Sequence, residues 1–231
     1  EKSALGKGGM NSKLEAARAG RAMEGERRVV TMLFCDVKGS TAMAERLDPE
    51  EWAEIMNGAF EHLIAPIYRY EGTLARLMGD AIFGFFGAPI AHEDDPQRAV
   101  SAGLDIIDGI QAYRERQRAD RGLDLNVRVG INTGPVVVGQ VGSDLRLEYT
   151  AMGDAVNVAA RMEQTAEPGT VQITAETYRR IASSFDAESR GGVEVKGKAE
   201  PVLAYRVVGR KQESETPSRT RATPLVGREH E

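Results

Sequence analysis

Two aspartates and, far downstream, an asparagine and an arginine four positions apart are the residues of this chain whose types and spacing could do chemistry. Asp36 closes the apolar run in FCDVKGST (34–41), and Asp80 sits at the tip of the apolar stretch LMGDAIF (77–83). Hard divalent cations take oxygen ligands, and Mg2+ is commonly held by one or two carboxylates plus substrate phosphates. Two acids at strand ends meet that need if the fold brings them together. Asn157 and Arg161, in TAMGDAVNVAARM (150–162), stand at i and i+4 and share a helix face. An amide there could hold a sugar and a guanidinium a phosphate. Lys196 and Lys198 of VKGK (195–198) fall on the same side of an extended segment and could meet a phosphate as well. Together these point to metal-assisted chemistry on a nucleotide. Each also has a plainer use: Asp36 as a helix N-cap, Asp80 as a turn residue, Asn157 and Arg161 as a solvated helix surface, VKGK as an exposed strand end.

The elements that must position them are legible from periodicity. Val29–Cys35 is dense in β-branched and large apolar residues and reads as a buried strand. Gly39, Ser40 and Thr41 supply a turn and a helix start. Asp48-Pro49 opens a second helix, whose apolar face runs through Trp52, Ile55, Met56, Phe60, Leu63 and Ile67 and which Gly72 ends. Thr73–Met78 and Ala81–Phe86 flank Gly79-Asp80 as a tight β-hairpin. Asp95-Pro96 opens a helix predicted to reach about Arg118. Leu125–Ile131 alternates as a strand that Gly134–Gly142 can extend, Glu148–Thr150 is a short strand, and Gly153–Glu163 is a helix. Short strand and helix pieces follow to about Ile181, and Val193–Val195 and Val202–Val208 are the closing strands. The order β-α-α-β-β-α-β and onward predicts an α+β fold with a ferredoxin-like core. There the first strand lies beside the hairpin, so Asp36 and Asp80 share an edge.

Length and composition bound the rest. The 231 residues suggest one domain with tails: a linker or short helix over 1–26, a folded unit over 27–208, and a polar linker over 209–231. Hydrophobic residues make up 41% and charged residues 28%, enough apolar content for a core. A net charge of −5 argues against a dedicated nucleic-acid binder. The lone Cys35, inside an apolar run, allows no internal disulfide and fits a reducing compartment as a small core residue. No apolar run approaches the ~20 residues that cross a bilayer and no secretory leader is visible, so a cytoplasmic location is expected. GVEVKGKA (192–199) nearly spells a phosphate-binding P-loop, but lacks the Ser or Thr that would ligate Mg2+ and is followed by a strand pattern with Pro201. The acidic run His92–Asp95 precedes Pro96 and reads as helix capping. Three histidines and no HExxH argue against a zinc hydrolase.

FCDVKGST, LMGDAIF, GDAVNVAARM and VKGKAEPV, in this order, resemble the catalytic domain of class III nucleotidyl cyclases over roughly residues 27–208. The resemblance implies a homodimer with its sites at the subunit interface. Asp36 and Asp80, helped by the Val37 carbonyl, would ligate two Mg2+ or Mn2+ per site, and the other subunit would supply Asn157, Arg161 and Lys196. The implied reaction is attack of the 3′-hydroxyl of ATP on the α-phosphate, giving cyclic AMP and pyrophosphate. Backbone N–H groups around Gly39, Ser40 and Thr41 would cradle phosphate. The base pocket departs from the commonest pattern, with Arg76 where adenylyl cyclases usually carry Lys and Thr150 where many carry Asp. Arg76 can only donate, which suits N1 of adenine; guanine N1 carries a hydrogen, although its O6 accepts. ATP is therefore expected. A guanylyl cyclase and a weakly catalytic nucleotide-sensing module are the alternatives. The final PLVGREHE resembles the entry to an AAA-type ATPase domain, which would make an attached C-terminal regulatory domain a partner; a disordered tail is the other reading.

Overall fold

The computed structural model describes residues 25–143 and 146–211. Residues 1–24 of the expected N-terminal linker or short helix, and 212–231 of the expected polar linker, lie outside them. In chain order the elements are β1 (Glu26–Val37), α1 (Ser40–Ala44), α2 (Pro49–Arg69), β2 (Thr73–Met78), β3 (Ala81–Phe86), α3 (Asp95–Gly109), α4 (Gln111–Arg121), β4 (Val127–Ser143), β5 (Arg146–Met152), α5 (Asp154–Thr165), β6 (Val171–Thr174), α6 (Ala175–Ile181), β7 (Phe185–Val193) and β8 (Val202–Arg210). The strands form one sheet in the order β2-β3-β1-β4-β6-β8-β7, with β5 pairing onto β4. Its first four strands are the antiparallel ferredoxin-like core.

β1 reads as an unbroken apolar run because both its faces are covered. Leu33, Cys35 and Val37 pack with Ile55, Leu63, Ile67 and Ile106 of α2 and α3. Val30, Met32 and Phe34 pack on the opposite face with Phe83, Phe85 and Ala159. A strand buried on both sides loses the alternation of a half-exposed one. Cys35 is fully buried, as expected.

Four expectations need correction. The helix predicted from Asp95 to about Arg118 is two, α3 and α4, interrupted for one residue at Ile110. Gly109 weakens the helix there, and the buried Ile110 ties the junction into the core. The closing strand placed at Val193–Val195 is instead β7, which ends at Val193. β7 is an exposed edge strand with two register shifts, so it offers little apolar periodicity to read. VKGK is a turn rather than an extended segment: the Lys198 N–H donates to the Val195 carbonyl at 3.0 Å, and Gly197 adopts φ +88°. β8 also runs to Arg210, past the boundary expected at 208.

Candidate active site

The antiparallel register of β1 and β3 sets Asp36 opposite Ala81, the residue after Asp80. A hairpin tip and a strand end thereby meet at one sheet edge. The two carboxyls lie within hydrogen-bonding reach of each other. Burial pushes the Asp36 pKa up, and the Asp80 carboxyl beside it pushes the same way, against the pull of Arg128. Asp36, whose charge is disfavoured by burial and by the acid facing it, and Asp80 together are a fit for a hard divalent cation, which takes oxygen ligands. Among the described residues no group of three or more acidic, histidine or cysteine side chains could hold a metal. The remaining ligands would therefore be backbone, water or phosphate. Val37 ends β1 directly beside Asp36, and Gly39, in the left-handed region at φ +77°, turns the chain into α1. Ser40 is buried there and Thr41 is exposed.

Sequence reasoning missed Arg128 and Glu163. Arg128, on β4, donates from Nη2 to Asp36 at 3.0 Å and from Nη1 to the Gln164 carbonyl at 2.9 Å. Its Nε stands 2.7 Å from Glu163 Oε1, but neither atom has a hydrogen-bond partner of acceptable geometry, so the contact is an ion pair without alignment. Burial, opposed by Arg128 and reinforced by Asp36, pushes Glu163 up to about 7. The sequence carries little signal for them: Leu125–Ile131 alternates cleanly and Arg128 takes one of its polar positions, so nothing local marks its partner on another element.

α5 carries Asn157 and Arg161, and β4 carries α5. Every second residue of β4 from 128 to 134 touches that helix. Arg128 holds its C-terminal end. A Cβ on Gly130 would stand 1.9 Å from the Glu163 backbone nitrogen, and one on Gly134 would stand 2.8 Å from the Ala155 Cβ. Between them, Asn132 donates to the Ala155 carbonyl at 2.9 Å. On its other side α5 faces a cavity of about 900 Å3 lined by Asn157, Arg161, Lys196 and Lys198, among others. Arg161 Nε donates to the Glu194 carbonyl at 3.0 Å, and Lys198 pairs with Asp154. These contacts fold the 194–201 turn over α5. Asn157, Arg161 and Lys196 therefore come together, but neither Asp36 nor Asp80 lines their cavity. One protomer thus presents two separate groups of the expected residues.

The expected base-pocket residues lie on β2 and β5, which touch. A register shift at Ala75 sets Arg76 opposite Phe83. Thr150 is buried and pairs with Gly139.

A ferredoxin-like core with one acid at a strand end, a second at the adjoining hairpin tip and a helix-borne Asn/Arg pair defines a nucleotide-cyclase catalytic domain. The chain belongs to the adenylate and guanylate cyclase catalytic domain family, which residues 23–209 match. It is 32% identical over 185 residues to adenylate cyclase 1 of Rhizobium meliloti, covering 79% of this chain and 28% of that protein. It is 31% identical over 205 residues to an adenylate cyclase of Mycobacterium tuberculosis, covering 86% and 45%. A receptor-type guanylate cyclase of Caenorhabditis elegans, gcy-23, is 31% identical over 191 residues, 81% of this chain and 17% of that one. The chain thus spans less than half the length of these relatives. Among solved structures, the adenylyl cyclase CyaB of P. aeruginosa superposes with TM-score 0.79 at 33% identity, covering 82% of this chain and 98% of that one. The guanylyl cyclase Cya2 superposes with TM-score 0.78 at 33% identity, covering 83% and 98%. No helix among the described residues is long and apolar enough to cross a membrane.

Proposed function

We propose that this chain is an adenylyl cyclase that converts ATP to 3′,5′-cyclic AMP and pyrophosphate at the interface of a homodimer. The observation that carries the reading is the meeting of Asp36 and Asp80 at one sheet edge, outside the lining of the cavity of Asn157 and Arg161. A second protomer is the economical way to join the two halves. When bound, two divalent cations would lower the pKa of the ribose 3′-hydroxyl and offset charge on the phosphates. Asp36 and Asp80 would hold them, with the Val37 carbonyl. Asn157 of the partner subunit orients the ribose, and Arg161 of the partner subunit meets the charge that builds at the α-phosphate. The partner's Lys196 binds the terminal phosphates, and the turn at Gly39–Thr41 supports them. The new bond joins the 3′-oxygen to the α-phosphorus as the bond to pyrophosphate breaks.

ATP over GTP rests on Arg76 as a donor to adenine N1, with Thr150 beside it as a donor or acceptor. The test incubates the protein with ATP or GTP and Mn2+ and identifies the products by chromatography. Cyclic AMP is expected, and Asp36→Ala or Arg161→Ala should cut its formation by at least ~10²-fold. Undiminished output from Asp36→Ala would overturn the metal assignment. Cyclic GMP as the main product would reverse the substrate. Tight ATP binding without any cyclic product would assign a nucleotide-sensing module instead.

A further inference from the structure

α5 has no side-chain cap at its own N-terminus; Gly153 stands in the capping position. The helix start is held from the strand beneath it. Asn132 Nδ2 donates to the Ala155 carbonyl, two residues from Asn157, and Asn132 Oδ1 accepts from Thr174 Oγ1 at 2.8 Å. The amide orientation is fixed by chemistry, because a carbonyl can only accept and so must face the nitrogen. Thr174 is 3.3 Å from the Thr177 hydroxyl, which is 3.1 Å from that of Thr133, which is 3.0 Å from that of Thr31. Thr31, Asn132, Thr133, Thr174 and Thr177 are all at most 5% exposed. One proton order satisfies the whole chain. The Thr174 hydrogen goes to Asn132, so Thr177 donates to Thr174, Thr133 to Thr177 and Thr31 to Thr133. The relay crosses β1, β4, α6 and β6 and ends on the first turn of α5.

We propose that Asn132, anchored by Thr174, is a positioning residue that fixes the axial register of α5 and thereby the placement of Asn157 and Arg161. Apolar side chains of the same volume could fill this space. Packing alone, though, leaves a helix free to slide along a smooth track, and Gly130 and Gly134 make this track smooth. A hydrogen bond has a length and a direction and so sets one position along it. A displacement of about 1 Å at a reacting centre can cost up to ~10²-fold in rate. The inference rests on the cyclase reading through the roles given to Asn157 and Arg161.

The experiment compares Asn132→Ala, Thr174→Val and Thr174→Ser with the unaltered chain and with Asn157→Ala. It measures kcat and KM for ATP, thermal melting, and Mn2+ affinity without nucleotide by electron paramagnetic resonance. Asn132→Ala and Thr174→Val are expected to lose about tenfold or more in kcat. Mn2+ affinity should stay within about twofold, since Asp36 and Asp80 lie on other elements, and Thr174→Ser, which keeps the hydroxyl, should recover activity. Near-normal kcat in both Asn132→Ala and Thr174→Val, beside a large loss in Asn157→Ala, sinks the positioning role alone. Near-normal kcat in Asn157→Ala removes the cyclase roles themselves. If Asn132→Ala does not fold, Thr174→Val decides. Failure of both to fold, or loss of Mn2+ affinity in step with kcat, overturns the proposal in favour of a purely structural network.

Discussion

The two faces of the central sheet are held by different physics. On one, α2 and α3 lay Ile55, Leu63, Ile67 and Ile106 onto Leu33, Val129 and Ile131 of the strands. That face depends on filled volume. On the other, α5 comes so close to β4 that two glycines replace side chains and an arginine and an asparagine make the contacts. That face adds contour and directed polar contacts to the apolar packing of Ala159 on Val30, Met32 and Phe34. A helix kept in place by volume can shift slightly at little cost. The second arrangement gives one position, which suits the helix that carries Asn157 and Arg161.

The contrast is broken most severely by deleting atoms on the first face. Leu63, fully buried, should cost about 2–5 kcal/mol on Leu63→Ala, because the cavity it leaves can only partly collapse. Urea melts would read this, and the kcat of the protein that remains folded should hardly change. On the second face the damage comes from adding atoms. Gly130→Ala sets a methyl into the backbone of Glu163 and Met162, where no side chain can swing aside. Overpacking of this kind costs about 1–3 kcal/mol or more. Unlike Leu63→Ala, it should also lower kcat in the folded fraction by moving α5. If Gly130→Ala matches Leu63→Ala in leaving kcat intact, the distinction between the faces is wrong.

This difference also explains what could be read from the sequence. The bounds of β2 and β3 are as expected, and so are the apolar stripe of α2 and the convergence of Asp36 with Asp80. Period-2 and period-3.6 burial write themselves into residue order. That Asn157 and Arg161 share one helix and one cavity is legible because i and i+4 is a local relation. Arg128 and Glu163 were not, because 35 positions of sequence separate two side chains that meet only through the β4–α5 packing. Asn132 was hidden likewise, since its partners Ala155 and Thr174 lie on separate elements. β7 was misplaced because an exposed edge strand buries too little to leave a pattern. The Lys196–Lys198 turn was read as extended because Gly197, free to take φ +88°, gives no sign of which way it will turn.

Each face also carries an arginine–carboxylate pair, and the two should answer pH in opposite directions. Glu163, buried beside Arg128 and Asp36, is pushed up to about 7 from an ordinary value of 4.5. A carboxyl whose folded pKa is raised favours folding while it is protonated. Its contribution is therefore full below about 4.5 and is lost as pH rises to about 7. In chelator-treated protein, stability should fall across that window by about 1–3 kcal/mol at most. Glu163→Gln, which cannot ionise, should flatten the slope. An unchanged slope in that variant would show that the group titrates elsewhere or is not set by its burial.

Arg114 and Asp124 form the counterpart on the outer side of the helix layer, with contacts of 2.6 and 3.3 Å. The Arg114 guanidinium holds Asp124 below its ordinary 3.8. The sign is now reversed: the contribution is present above about 3.8 and is lost as pH falls through the lowered value. The geometry is bidentate, yet Asp124 is 53% exposed, and water and salt screen such a pair. Asp124→Asn should cost no more than a few tenths of a kcal/mol at neutral pH, and less in high salt. Thermal melts of Glu163→Gln and Asp124→Asn at pH 4 and pH 8 make the comparison directly. Gln at 163 should gain stability relative to the unaltered chain as pH rises, whereas Asn at 124 should lose slightly. Equal and parallel responses would mean that exposure does not separate the two pairs, and that the buried contact between β4 and α5 is no more demanding than a surface ion pair.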